Sequence, residues 1–150
     1  SSNQIALRYD VFEMTARLVE GKYPDYTQII PRDFKTTVRV PTDALVNKIK
    51  AASLFTTVGV NAVSFDLNAA EHTLGVSSTS TQTGEHSSEL EADIQGEENS
   101  ILLNHRYVLD GLQHAGDNEV VFQVNSADAP CLFKPKNKAD YLYMVMPIRQ

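Results

Sequence analysis

The run Tyr141-Leu142-Tyr143-Met144-Val145-Met146 carries an apolar or aromatic side chain at every position, so a strand built from it has no polar face. Alternation sends Tyr141, Tyr143 and Val145 to one side and Leu142, Met144 and Met146 to the other. One set can fill a core. The other, continued by Pro147 and Ile148, forms a soft apolar surface of the kind that accepts another protein's side chains. A last strand buried on both faces is the simpler reading of the same residue types.

The rest of the chain supplies the scaffold for that strand. Residues 4–19 alternate twice, through Ile5, Leu7 and Tyr9 and then Phe12, Met14, Ala16 and Leu18, with Asp10 at the reversal, which predicts a hairpin. Residues 21–32, containing Tyr23-Pro24-Asp25-Tyr26 and Ile29-Ile30-Pro31, form a connector too apolar for free linker; it is expected to pack in a crevice between two domains.

A strand at 36–40 precedes a helix opened by Pro41-Thr42-Asp43, with Thr42 or Asp43 as its N-cap. Leu45, Ile49 and Ala52 form the inner stripe of that helix, Asn47 and Lys50 point away, and Lys48 lies on the flank. Leu54-Phe55 ends it with two large apolar groups that can hardly share one core, which leaves Phe55 for another interface. Strands follow at 63–67 and 74–76. The Ser/Thr-rich residues 77–88 are read as paired, exposed strand, and Leu90, Ala92 and Ile94 as a third segment, with another strand at 99–103.

Asn104 caps a second helix whose inner positions are Val108, Leu112 and Ala115, whose outer ones are Arg106, Asp110 and Gln113, and which Gly116 stops. Strands at 119–125, 131–133 and 141–146 complete an α+β unit, two helices packed on one face of antiparallel sheet.

No glycine-rich phosphate loop, metal-ligand spacing or nucleophile motif is found. His72, His86, His105 and His114 are scattered, and Glu85, Glu89, Glu91, Asp93, Glu97 and Glu98 read as a solvated face. An enzyme, a cofactor and a metal are therefore not expected, and a hydrolase of α+β fold has no residues to support it. The lone Cys131 reads as a small buried hydrophobe in a reducing cytoplasm. No apolar run reaches membrane-span length. A net charge of −6 argues against nucleic-acid binding over the whole surface but leaves room for a local basic face.

Three segments carry a family resemblance: Arg17-Leu18-Val19-Glu20-Gly21-Lys22-Tyr23-Pro24-Asp25-Tyr26 with Ile29-Ile30-Pro31; Asn104 with Tyr107-Val108-Leu109-Asp110; and Tyr141-Leu142-Tyr143-Met144-Val145-Met146-Pro147-Ile148-Arg149. In this order and spacing they resemble the bacterial sliding clamp, the β subunit of DNA polymerase III. The resemblance implies residues 1–30 as the closing hairpin and connector of a truncated middle clamp domain and residues 31–150 as a complete third domain. It also implies a non-catalytic processivity factor whose full-length, head-to-tail homodimeric ring encircles duplex DNA without reading sequence.

Carried over position by position, the resemblance implies a pocket for linear motifs of polymerase, clamp loader and repair proteins. Its residues would be Pro24, Ile29, Val60, Asn104, Tyr107, Met144, Val145, Met146, Pro147, Ile148 and Arg149. Lys48, Lys50 and Arg106, with Asn47 and Gln113, would face DNA, partly cancelled by Asp110. Leu54 and Phe55 would meet the neighbouring subunit. Gln28, Val60, Asp128 and Pro130 depart from the family pattern around the pocket, which bears on motif preference. A stand-alone peptide-binding adaptor that never encircles DNA is the alternative from a different class.

Overall fold

The alternation at the start of the chain folds as predicted. In a computed structural model that describes residues 3–149, β1 (Gln4–Tyr9) and β2 (Phe12–Arg17) pair antiparallel from Gln4↔Arg17 to Tyr9↔Phe12. Asp10 takes the left-handed conformation (φ 49°) that the tight reversal needs, a conformation its short polar side chain tolerates. A single 3₁₀ turn follows at Tyr26–Gln28, closed by the Asp25 carboxylate, which accepts from the Thr27 amide at 3.1 Å and the Thr27 hydroxyl at 2.6 Å.

The connector lies open in this chain. Residues 20–29 are all exposed, and burial begins only at Ile30 and Pro31, so the described chain packs this stretch into no crevice. Its compactness is local, supplied by Asp25, rather than tertiary.

Beyond it the predicted α+β unit is present, with its antiparallel strands divided between two sheets. β3 (Thr36–Pro41), β7 (Asp93–Gly96), β9 (Glu119–Val124), β10 (Cys131–Pro135) and β11 (Tyr143–Val145) form one, in the order β11-β10-β9-β3-β7. β4 (Ala62–Asn68), β5 (Thr73–Ser80), β6 (Gly84–Glu91) and β8 (Asn99–Asn104) form the other, in the order β6-β5-β4-β8. The Ser/Thr-rich residues pair as predicted on both sides of a turn at 81–83, from Thr73↔Glu91 to Ser80↔Gly84, but they are not all exposed: Ser78 and Ser80 are buried, and the Ser78 hydroxyl donates to the Ala52 carbonyl of α1 at 2.6 Å. The segment holding Leu90, Ala92 and Ile94 does not stay in one ladder. It changes sheet at Ala92, whose amide donates to the His72 carbonyl at 2.9 Å, so that Ile94 pairs with Val38 instead.

Helices α1 (Thr42–Ser53) and α2 (His105–Ala115) lie side by side, and each touches both sheets. Leu45, Ile49 and Ala52 of α1 and Val108, Leu112 and Ala115 of α2 are buried, the stripes that the 3.6-residue period selects. Across the core, Phe122 stacks on its register partner Phe133 with centroids 4.4 Å apart, and meets Phe65 of the other sheet edge-on at 5.8 Å.

The two helices begin differently. Asn104 caps α2 as predicted, its side chain accepting from the Arg106 amide at 3.0 Å. Neither Thr42 nor Asp43 caps α1. Thr42 is instead the first helical residue, and its amide and hydroxyl donate to Asn118 and Asp117 carbonyls, both at 2.9 Å, so a distant loop supplies the cap.

Candidate functional site

The C-terminal residues are placed by register. β11 pairs with β10 through Cys131↔Val145, Leu132↔Met144 and Phe133↔Tyr143. Pleating then turns Val145 inward, at 3% exposed, with Tyr143 packed on the same core, and turns Met144 outward. Beyond the strand, Met146 is 56% exposed, Pro147 and Ile148 are half-buried, and Arg149 is exposed. Val145, expected among the partner-facing residues, is thus a core residue, because strand alternation gives it the opposite face from its two methionine neighbours.

After Pro147 the chain crosses to the other sheet, where the Ile148 amide donates to the Leu102 carbonyl of β8 at 2.8 Å. Leu102 points outward between the buried Ile101 and Leu103, on the same face as Asn104. It lines two adjoining hollows, one with Thr57, Val60 and Ala62 and one with Ser100, Ala127, Asp128 and Ile148.

The Val60 side is fixed by backbone. Val60 and Asn61 amides donate to the Thr57 carbonyl at 3.2 and 3.1 Å, and the His105 amide donates to the Asn61 carbonyl at 2.9 Å, which ties this loop to the start of α2. Two residues into that helix stands Tyr107, 57% exposed, and Val60 is 48% exposed. Tyr107 and Asp110 lie close enough to Tyr143 to add to the burial that holds its phenol above the ordinary tyrosine value. Leu102 thus joins Val60 in one hollow and Ile148 in the other, the Val60 loop is tied to the start of α2, and Tyr107 approaches Tyr143, so these residues outline one open wall, with Asn104, Met144, Met146, Pro147 and Arg149 beside them in sequence.

Pro24 and Ile29 stand on the exposed connector. No hydrogen bond among the described residues ties either one to the wall. Leu102 was missed from sequence, although its outward position between two inward-facing apolar residues is legible from the period of two.

Of the cationic residues, Lys50 and Arg106 are exposed and Lys48 is half-buried, and none of the three forms an ion pair among the described residues. Lys50 and Gln113 share an interhelical groove with Asp43 and Asp117, so acid on this face extends beyond Asp110. At the end of α1 the spare apolar group is Leu54, 72% exposed, rather than Phe55, which stacks on His86 with centroids 5.6 Å apart.

Two histidines have a buried ring nitrogen without a partner, His86 Nε2 and His105 Nδ1. Burial, then the neighbouring Arg106, pushes His105 below its ordinary value. Among the described residues no three His, Cys, Asp or Glu side chains gather as metal ligands, and no helix is long and apolar enough to cross a membrane.

Two antiparallel sheets with two helices side by side against both define an α+β class of domain. Residues 27–149 match the family model for the DNA polymerase III beta subunit, C-terminal domain, and the chain belongs to that family. It is 32% identical to the beta sliding clamp of a Synechocystis species over 91% of this chain and 35% of the relative. To the beta sliding clamp of Staphylococcus aureus it is 29% identical over 99% of this chain and 40% of the relative.

Among solved structures, the DNA polymerase III beta subunit of Thermotoga maritima superposes with a TM-score of 0.87 at 30% identity, over 99% of this chain and 40% of that one. A Bartonella birtlesii sliding clamp bound to griselimycin superposes at 0.89 with 27% identity, over 100% of this chain and 40% of that one. The chain spans well under half the length of these relatives.

Proposed function

We propose that the chain is the C-terminal part of a bacterial sliding clamp, a non-catalytic processivity factor of the cytoplasm, and that its open wall captures short linear motifs of replication and repair proteins. Residues 1–30 then close a middle domain and residues 31–150 are the third. The observation that carries this reading is the wall itself. Tyr107, Val60 and Met146 are each about half exposed although large and apolar, while the neighbouring amides of Ile148, Asn61 and His105 are all bonded. Such a surface awaits side chains, not backbone. The griselimycin-bound relative supports a ligand-accepting surface on this fold.

In the intact protein Lys50 and Arg106 face the phosphate backbone, and Leu54, backed by Phe55, meets a second subunit. The acid of Asp43, Asp110 and Asp117 among those cations favours weak contacts that permit sliding, and it equally favours the adaptor reading for this piece alone.

Titration with a labelled Gln-Leu-x-Leu-Phe pentapeptide tests the wall. Saturable binding that is lost on Met146→Ala or Tyr107→Ala is expected, and absence of binding to the unsubstituted chain refutes the reading. Retention of the full-length protein on nicked circular DNA, with release on linearisation, separates ring from adaptor.

A further inference from the structure

We infer that Gly111, Tyr141 and Tyr143 form a clasp that sets the spacing between the two sides of the docking wall, Tyr107 on α2 and the methionines on and after β11. The inference rests on the peptide-site reading above and adds positioning residues to it.

Glycine is the poorest helix-interior residue short of proline, and Gly111 sits in the middle of α2 with ordinary negative φ. Backbone freedom does not explain it; space does. A Cβ built on Gly111 would lie 2.3, 2.6 and 2.7 Å from Tyr143 Cδ1, Cε1 and Cγ. These are atoms along one edge of a rigid ring, from its root Cγ outward, which cannot swing aside as a flexible tip would. The ring of Tyr143 thus occupies the notch that the missing side chain leaves.

The same residue is held a second time, because the Tyr141 hydroxyl donates to the Gly111 carbonyl at 2.8 Å. Two tyrosines on one face of the final strand segment therefore grip one helical residue. Tyr107 lies one turn before Gly111 on the same side of α2, and Met144 follows Tyr143 directly in the β10 register. Any retreat of Tyr143 from α2 carries Met144 and Met146 away from Tyr107. Carbon atoms need roughly 3.5–4 Å, so a methyl group at position 111 demands a retreat of more than about 1 Å, beyond what a docking site tolerates.

The test pairs two readouts on the whole chain: affinity for the labelled Gln-Leu-x-Leu-Phe pentapeptide and the Gly111 Hα chemical shift. In the unsubstituted protein the ring shifts Gly111 Hα upfield. Gly111→Ala, while still unfolding cooperatively, is expected to bind about tenfold more weakly or worse, and Gly111→Ala/Tyr143→Leu, which reopens the notch, to recover to within roughly threefold. A purely structural role lowers the unfolding midpoint without that recovery.

Normal affinity in folded Gly111→Ala, or no recovery in the double variant, overturns the clasp. If Gly111→Ala does not fold, Tyr141→Phe decides, and unchanged affinity there overturns it. If the unsubstituted chain binds no peptide, the peptide-site reading falls separately and the Hα shift alone decides the clasp, an unshifted proton refuting it.

Discussion

Cys131 gives the C-terminal strand a built-in reporter. Its side chain is wholly buried, its thiol donates to the Val145 carbonyl at 3.5 Å, and burial pushes it up to about 12. Against an ordinary thiol near 8.5, such a group carries roughly a thousandth of the thiolate at pH 8. Reaction with a disulfide reagent should therefore be at least about a thousandfold slower in the native protein than in urea, and it should proceed through detachment of the three-residue β11 that covers it.

If Met144 and Met146 belong to the docking wall, pentapeptide at about 100 times its Kd slows labelling roughly a further hundredfold, since peptide binds only the closed state. Labelling at the unfolded rate refutes the burial. Labelling unchanged by saturating peptide refutes the link between β11 and the wall. The alkaline limb supplies a second check: with the folded value raised, stability is complete below about 8.5 and lost as pH rises from there through 12. At pH 10.5 the loss is roughly 2–3 kcal/mol, and Cys131→Ala should lack that share of it in urea unfolding.

Asn104→Ala removes the α2 cap and should cost about 1 kcal/mol in thermal or urea unfolding. Gly96→Ala should fail to accumulate as folded protein, as judged by circular dichroism. Position 96 has φ +108°, and a Cβ there would stand 1.8 Å from the Lys35 carbonyl oxygen. His105, pushed down by burial and then by Arg106, stays neutral in the folded chain at pH values where the unfolded chain takes up a proton. Its contribution is present above about 6.5 and lost as pH falls below that; His105→Gln should flatten the urea midpoint between pH 7 and 5.

Much of this was legible in the sequence where one helix or one strand decides. The inner stripes of both helices follow from spacing, the Asn104 cap from one side chain, and the outward face of Met144 from a period of two. What distant partners decide was not legible. Alternation assigns a face but not a sheet, so the switch at Ala92 between β6 and β7 left no mark in the pattern. The α1 cap escapes a local reading because the carbonyl of Asn118 takes the Thr42 amide in place of a local side chain, while the Thr42 hydroxyl is held by the carbonyl of Asp117. The pair Leu54-Phe55 offers two spare apolar groups by local pattern, but His86 from β6 gives Phe55 a stacking partner that no local pattern reveals. Gly111 passed unremarked because its reason is a ring thirty-two residues away.

These distant contacts converge on one seam. β11 ends the five-stranded sheet and β8 ends the four-stranded one, and edges of this kind invite unwanted pairing unless covered. The tail bridges the two: it leaves β11 at Val145 and caps part of the β8 edge through the Ile148 amide on the Leu102 carbonyl. Tyr141 and Tyr143 fix the same segment to α2, and the His105 amide fixes the Val60 loop to that helix. The amides of Val60, Asn61, His105 and Ile148 are thus bonded before any partner arrives, while Met146, Tyr107 and Val60 remain uncovered. A partner that docks there orders few new backbone groups and removes mainly apolar surface from water, so even a very short motif can bind usefully.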